Sequence, residues 1–258
     1  MGFLSPFFGG RDPSGDFVHL NQLIPRLTTQ RWVLAATSTL MHGGGITQGN
    51  AARRQVALTF DDGPHPRWTP ELLDRLEQSG LVGTFFVVGS SVAQFPDVVR
   101  ETHRRGHEVG SHLYWHRRPV SENRDSLREE IRRSCRELED LLGRPVRFLR
   151  FPYADRGGLT SADIRSECGL QLIHWTFSSH DSRARAGSEI VRRVAARVRP
   201  GAIVLMHDCL ADDGPGLPAR YNPDRSVMLA SVPQLAQLLA DQHLNSATLS
   251  QLIGSSGN

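Results

Sequence analysis

From Gln55 onward the chain repeats one pattern: a short apolar run, a polar residue capable of chemistry, then a stretch with helical spacing. Val56–Phe60 ends at Asp61-Asp62, and His107–Gly110 hands over to Ser111-His112. Arg147–Phe151 stops at Pro152-Tyr153, Leu170–Thr176 precedes Asp181, and Ala202–Met206 runs into His207. Such alternation predicts βαβ units and a parallel sheet. In a parallel α/β barrel every strand end emerges on the same rim, where active sites are built. The pattern therefore predicts one cleft fed by several loops.

The intervening helices are read from apolar spacing and caps. One starts at Pro70 behind a Thr69 cap, one covers Phe95–Arg105, and a long one runs from a Ser121 cap to about Leu142. Others are expected at Ser161–Glu167, Glu189–Val198 and Pro233–Gln242, with further strands at Val82–Val88 and Ala247–Leu249. Residues 1–50 read as an N-terminal extension of unknown role, bracketed by Pro and Gly clusters, and residues 51–258 as a single catalytic domain. Within the extension Arg31–Met41 is expected to be helical; its alternative is a weak, late secretory core interrupted by Thr and Ser. With no clear signal peptide, a cytoplasmic location is favoured over a secreted one. No run is apolar enough to span a membrane. Oligomeric state is left open.

Composition removes several chemistries. All 30 basic side chains are arginines, so lysine Schiff bases and phosphate-loop lysines are excluded. The net charge of +3 is modest and the arginines form no dense block, which argues against nucleic acid as a partner. The three cysteines, Cys135, Cys168 and Cys209, lie far apart and make neither a disulfide framework nor a thiolate zinc site.

Two stretches point instead to a histidine and carboxylate site. Adjacent acids such as Asp61 and Asp62 raise each other's pKa and call for a cation or a shared proton, although Asp before Gly-Pro is also ordinary turn chemistry. His112 and His116 have the spacing that puts two imidazoles on one face of a helical turn, within reach of one metal ion. With one carboxylate they make a three-ligand set that leaves positions open for water and substrate. His103 and His107 repeat the spacing but straddle Gly106.

Taken together, several strings resemble the motifs of the polysaccharide deacetylases, the NodB-homology or family-four carbohydrate esterases. They are Thr59-Phe60-Asp61-Asp62-Gly63-Pro64, Gly110-Ser111-His112 with His116, Arg150-Phe151-Pro152-Tyr153, and Gly201–Asp208 ending in Leu205-Met206-His207-Asp208. Thr84–Gly89 and Gly106–Val109 match common framework of that family, and the likeness covers roughly residues 55–250. The resemblance implies a distorted (β/α) barrel of the NodB-homology type, with fewer than eight strands. It implies a metal-dependent hydrolase that removes N-acetyl groups from an amino sugar in a glycan or oligosaccharide of the chitin, chito-oligosaccharide or peptidoglycan type.

It also implies roles. Asp62, His112 and His116 would hold a divalent metal, zinc before cobalt, and Asp61 would be the general base toward a metal-activated water. His207 would be the general acid, Arg150 would orient Asp61, and Asp181 would sit behind His207. Tyr153, Leu205 and Trp175 would contact substrate. The chain departs from the motifs at Leu113, where Ser or Thr is usual, at Ser182, where Trp is usual, and at Ala154, where Gly is common. Those departures suggest an altered acceptor pocket. Two rival readings remain: a deacetylase or deformylase of a small glycosylated metabolite on the same fold, and a catalytically silent carbohydrate-binding relative.

Overall fold

The barrel is laid down on β1 (Gln55–Asp61), whose side chains alternate between two apolar layers. Val56, Leu58 and Phe60 point outward and pack with Leu72, Leu73 and Leu76 of α1 (Trp68–Gln78). Ala57 points inward, into a smaller cluster with Phe86, Phe148, Ile173, Ile203 and Leu252. The structure is a computed structural model that describes residues 44–211 and 221–254. From Gly45 on, the chain falls into one compact unit.

In chain order the remaining strands and α-helices of the described residues are β2 (Gly83–Val87), α2 (Gly89–Gln94), α3 (Pro96–Arg104), β3 (Glu108–Ser111), α4 (Arg124–Leu142) and β4 (Phe148–Leu149). Then follow α5 (Ser161–Cys168), β5 (Gln171–Leu172), β6 (Phe177–Ser178), α6 (Gly187–Ala195), β7 (Ile203–His207), α7 (Ser226–Asp241), β8 (Asn245–Ser246) and α8 (Leu249–Ile253). Seven strands run in the order β5-β4-β3-β2-β1-β7-β6, and β8 pairs with the start of β1. Every strand pair is parallel. The expected distorted (β/α) barrel is the fold observed, with its strand ends on one rim, but β8 brings the described strands to eight where fewer than eight were expected.

Several element boundaries differ from expectation, each for a local reason. The strand expected over Leu170–Thr176 is two. Ile46 pairs with β5 through Ile46 N to Leu172 O and His174 N to Ile46 O, both 2.8 Å, and Thr176 N then turns to Ile203 O at 2.8 Å. Residues 46–49 are thus already bridged to the barrel, Ile46 to Ile173 and Gln48 to Ala202, ahead of the boundary expected at residue 50. Helix α2 went unread because its six residues are too few to show a period.

Thr69 does not cap α1; its hydroxyl accepts from His65 N at 2.8 Å and donates to Asp208 Oδ2 at 2.5 Å. Asn123, not Ser121, caps α4, its Oδ1 accepting from the Asp125 and Ser126 amides. Helix α7 starts at Ser226, with Pro233 inside it rather than at its head, because Met228 and Leu229 of the earlier turns are buried in the core. The strand expected at Ala247–Leu249 falls two residues early, and Thr248 caps α8 instead. The helix expected at Arg31–Met41 lies outside the described residues. Among the described residues no helix is long and apolar enough to cross a membrane.

Candidate metal centre and active site

On a strand, neighbouring side chains point to opposite faces, so Asp61 and Asp62 should diverge. They do not, because Asp62 adopts a left-handed φ of 82° as β1 ends, a conformation that Asp tolerates better than most residues. Both carboxylates then reach His112: its Nε2 lies 3.9 Å from Asp61 Oδ2 and 3.4 Å from Asp62 Oδ1. Gly63 follows, and the Asp208 carboxylate occupies the place a Cβ there would need. Asp208 Oδ1 accepts from Gly63 N at 3.0 Å. Burial pushes the Asp208 carboxyl up to about 7, against the hydrogen bond from Thr69 and with the help of the Asp62 charge.

His112 and His116 lie just past the end of β3. Their segment is a loop rather than the helical turn their spacing suggests, with left-handed φ at Leu113 (63°) and His116 (51°). It still brings the rings to 5.2 Å from each other, with His116 Nε2 3.0 Å from Asp62 Oδ1. His112 Nδ1 lies 2.8 Å from the Arg150 carbonyl oxygen, which can only accept, so Nδ1 carries the proton and Nε2 keeps its lone pair for a ligand. Burial opposes a charge on Asp62, but His116, through its charge and its Nε2 contact, holds the Asp62 carboxyl well below the usual range.

One donor atom from each of Asp62, His112 and His116 lies within 4.8 Å of the others. Two imidazole nitrogens and a carboxylate, buried and with one tautomer fixed, are a donor set that fits a divalent metal. Among the described residues no other group of three meets the same test. The decoy does not: His107 Nδ1 accepts from Gly83 N at 3.1 Å, and burial with help from Arg105 pushes its imidazole down to about 4.

Leu113 replaces the hydroxyl that usually braces this loop, and the structure supplies other braces. Leu113 is itself buried in the core. Glu130 of α4 accepts from Tyr114 N at 3.1 Å and Trp115 N at 2.8 Å, and Ser134 Oγ donates to Leu113 O at 3.2 Å. From the other side the Gly89 and Ser90 amides donate to the Leu113 and Tyr114 carbonyls, both at 2.9 Å.

Arg150, 1% exposed, crosses the barrel mouth just past β4. Its Nη1 donates to Asp61 Oδ1 at 2.7 Å and Thr59 Oγ1 at 2.8 Å, and its Nη2 to His174 O at 2.9 Å. The guanidinium lies 4.2 Å from the Phe86 ring centre and 5.7 Å from that of Trp175. Asp61 is therefore pinned while its second oxygen faces the histidines.

His207 ends β7 in register with Asp61, as Leu205 is with Thr59, so all four side chains share the inner face. His207 Nδ1 lies 3.1 Å from Asp181 Oδ1, and its own amide donates to Asp181 Oδ2 at 3.1 Å. Burial alone would disfavour an imidazolium. The Asp181 charge and hydrogen bond, joined by the Asp62 and Asp61 charges, push His207 up to about 9. Conversely, burial opposes the Asp181 charge, but His207 and Arg225 keep its carboxyl below the ordinary value.

The residues expected to touch substrate are placed more loosely. Tyr153 is 39% exposed, with Oη 3.5 Å from His116 Nδ1 and the Arg118 guanidinium 4.3 Å from its ring. Tyr153 and Ala154 both have left-handed φ, 57° and 56°. Leu205 is buried on the inner face, and Trp175 is half-buried against the inner cluster. Ser182, at the position where Trp is usual in the family, is buried with its carbonyl accepting from Asn222 N at 2.7 Å. Sequence reasoning missed Thr59, Glu130 and Arg225, all joined to the site by contacts between residues distant in sequence.

A parallel barrel with a three-donor metal centre on its C-terminal rim, flanked by a pinned carboxylate and a carboxylate-backed histidine, is the class of protein defined so far. Comparison with known proteins agrees. The polysaccharide deacetylase family matches residues 48–173. The chitooligosaccharide deacetylase of Sinorhizobium fredii is 34% identical over 209 residues, covering 77% of this chain and 90% of that protein. The peptidoglycan-N-acetylglucosamine deacetylase PgdA of Listeria monocytogenes is 36% identical over 155 residues, 60% of this chain. The match spans 32% of PgdA, about a third of that protein's length. The solved structure of peptidoglycan deacetylase PdaC from Bacillus subtilis superposes with a TM-score of 0.65 at 27% identity, covering 79% of this chain and 91% of that one. The chain belongs to the polysaccharide deacetylase family.

Proposed function

We propose that the protein is a metal-dependent N-deacetylase that hydrolyses the acetamide of an amino sugar in a glycan or oligosaccharide. The observation that carries this reading is a carboxylate and a histidine, each held by its own partner, beside one candidate metal centre: Asp61 held by Arg150, and His207 held by Asp181. A site for binding alone has no need of both a proton acceptor and a proton donor. We assign zinc to Asp62, His112 and His116, with cobalt as the alternative; when bound, the ion supplies Lewis acidity toward water and the amide oxygen. We also assign residues 45–258 as the catalytic domain, starting ahead of residue 51 because Ile46 and Gln48 are bridged to the barrel, and residues 1–44 as the N-terminal extension.

The chain's own groups then divide the work. Asp61 Oδ2 takes the proton that water loses as its oxygen bonds to the acetyl carbon. A backbone N–H near Tyr153 donates to the carbonyl oxygen as it gains charge. His207 gives its proton to the nitrogen as the C–N bond breaks, so the products are acetate and a free amine. Leu205 lies on the same inner face, where it would receive the acetyl methyl.

The likeness to a chitooligosaccharide deacetylase and to peptidoglycan deacetylases supports an N-acetylated carbohydrate as substrate. The test is acetate release from N-acetylated chito-oligosaccharides and peptidoglycan fragments of graded length, with metal analysis of the purified protein. Chelation should stop release and zinc or cobalt should restore it. Zinc-loaded protein that releases no acetate from any of them, or undiminished activity in metal-free protein, would overturn the reading.

A further inference from the structure

The buried cation behind Asp181 has no part in the chemistry above. Arg225 stands at the head of α7, 1% exposed, and its Nη1 lies 3.3 Å from Asp181 Oδ2. Its Nε is buried without a hydrogen-bond partner among the described residues. A buried guanidinium that leaves a donor unmet costs free energy. The compensation visible in the structure is the carboxylate it faces.

Asp181 is coordinated like a small anion. Oδ1 meets Ser179 Oγ at 3.0 Å and His207 Nδ1 at 3.1 Å. Oδ2 meets His207 N at 3.1 Å and Arg225 Nη1 at 3.3 Å. The segment that carries Arg225 is docked onto the Asp181 turn at two further points. Asn222 N donates to Ser182 O at 2.7 Å, and Arg183 Nη2 lies 3.4 Å from Tyr221 Oη. The stretch 221–225 therefore clasps the very turn that presents Asp181.

We propose that Arg225 is a positioning residue for the acid step, holding Asp181 in place and sharing its negative charge so that His207 remains a strong enough acid to release its proton. The charged groups facing His207 are Asp181 behind it, Asp61 and Asp62 at the end of β1, and Arg225 beyond Asp181. Three of the four are anions: Asp181 and Asp61 favour the imidazolium, and Asp62 does so while it holds no metal. An acid held too firmly protonated donates poorly to a leaving amine. Arg225 is the cation in that set that opposes the trend. The proposal rests on His207 acting as general acid, as read above.

The test uses the full-length, zinc-loaded protein with Arg225→Met, which keeps bulk and removes charge, and Arg225→Lys, which keeps charge. The Met variant should lose roughly 10- to 100-fold in kcat with KM within about twofold. Its high-pH limb should move up by about one unit, since a nearby cation has been removed. The Lys variant should recover most of kcat and return the limb. Independently of any substrate, NMR titration of ¹⁵N-histidine-labelled protein should show the His207 ring shifted upward in the Met variant and near wild type in the Lys variant. Should the Met variant fail to fold, Arg225→Gln is read in its place. A wild-type ring titration in the neutral variants, or equal loss in Met and Lys with an unmoved limb, overturns the proposal and leaves Arg225 a packing residue. Because the ring titration needs no turnover, a protein that releases no acetate would still report on Arg225.

Discussion

His112 and Arg150 meet through the arginine's backbone: the imidazole Nδ1 lies 2.8 Å from the Arg150 carbonyl oxygen, while the same residue's guanidinium holds Asp61 at 2.7 Å. One residue thus fixes the tautomer of a proposed metal ligand with its main chain and the aim of the proposed base with its side chain. A substitution at position 150 keeps the first contact and loses the second, which lets the two functions be separated.

That separation begins at Asp61. Asp61→Asn should leave zinc content near wild type, because the three donors are Asp62, His112 and His116. Turnover should fall by about 10²–10⁴, the usual worth of a positioned base. Metal analysis and acetate release on the same sample check it, and retained activity would show that another group takes the proton.

The pair at the far side of the cleft predicts a pH profile. His207 is pushed up to about 9 from an ordinary 6.5, so the acid stays protonated through neutral pH and kcat/KM should fall as pH rises through about 9. Linkage gives the same sign for stability: the contribution is complete below about 6.5 and is lost as pH climbs through about 9. Wild type should therefore lose more Tm between neutral pH and pH 10 than His207→Gln does. Equal losses would remove the Asp181 ion pair as the cause.

Glu130 braces the ligand loop without touching a ligand. Glu130→Ala frees the Tyr114 and Trp115 amides and should weaken zinc affinity by about tenfold or more, in keeping with supporting contacts at metal sites. At saturating zinc the activity should largely return. Competition against a chelator measures the first effect, and assays with added zinc the second.

Ala154 holds a left-handed φ of 56°, a strain of about 1–2 kcal/mol for a residue with a Cβ. Ala154→Gly should relieve more than the added chain entropy costs and raise stability by about 0.5–1 kcal/mol. Thermal melts decide it, and a lower Tm would show that the methyl is needed for packing.

How much of this could be read from the chain alone follows from distance along it. The parallel barrel was legible because each strand-to-helix unit carries its own signal, an apolar run followed by a turn and a helical period. The strings around Asp61-Asp62, His112 with His116, Arg150 and His207 were legible as candidates for the same reason, since each sits where a strand ends. What joins them was not legible. Arg225 meets Asp181 across 44 residues and Thr69 meets Asp208 across 139, and no local pattern encodes such contacts. The helical reading of His112–His116 failed because spacing tells only that two rings can meet, not which backbone path brings them together. Here left-handed turns at Leu113 and His116 supplied the path. Trp175 falls near the end of the strand expected over Leu170–Thr176, which in fact breaks there, as the segment around Ile46 pairs with one half and β7 with the other.

β1 has partners on both flanks, β2 and β7, and a third, β8, at its start. Asp61, the last residue of β1, is flanked by Phe86 on one side and His207 on the other, so local opening there should be rare. In such a design reactivity and robustness sit on one segment of backbone. Adaptation to new acceptors would then fall on the loops of the other strands, where Leu113, Ala154 and Ser182 already depart from the family pattern.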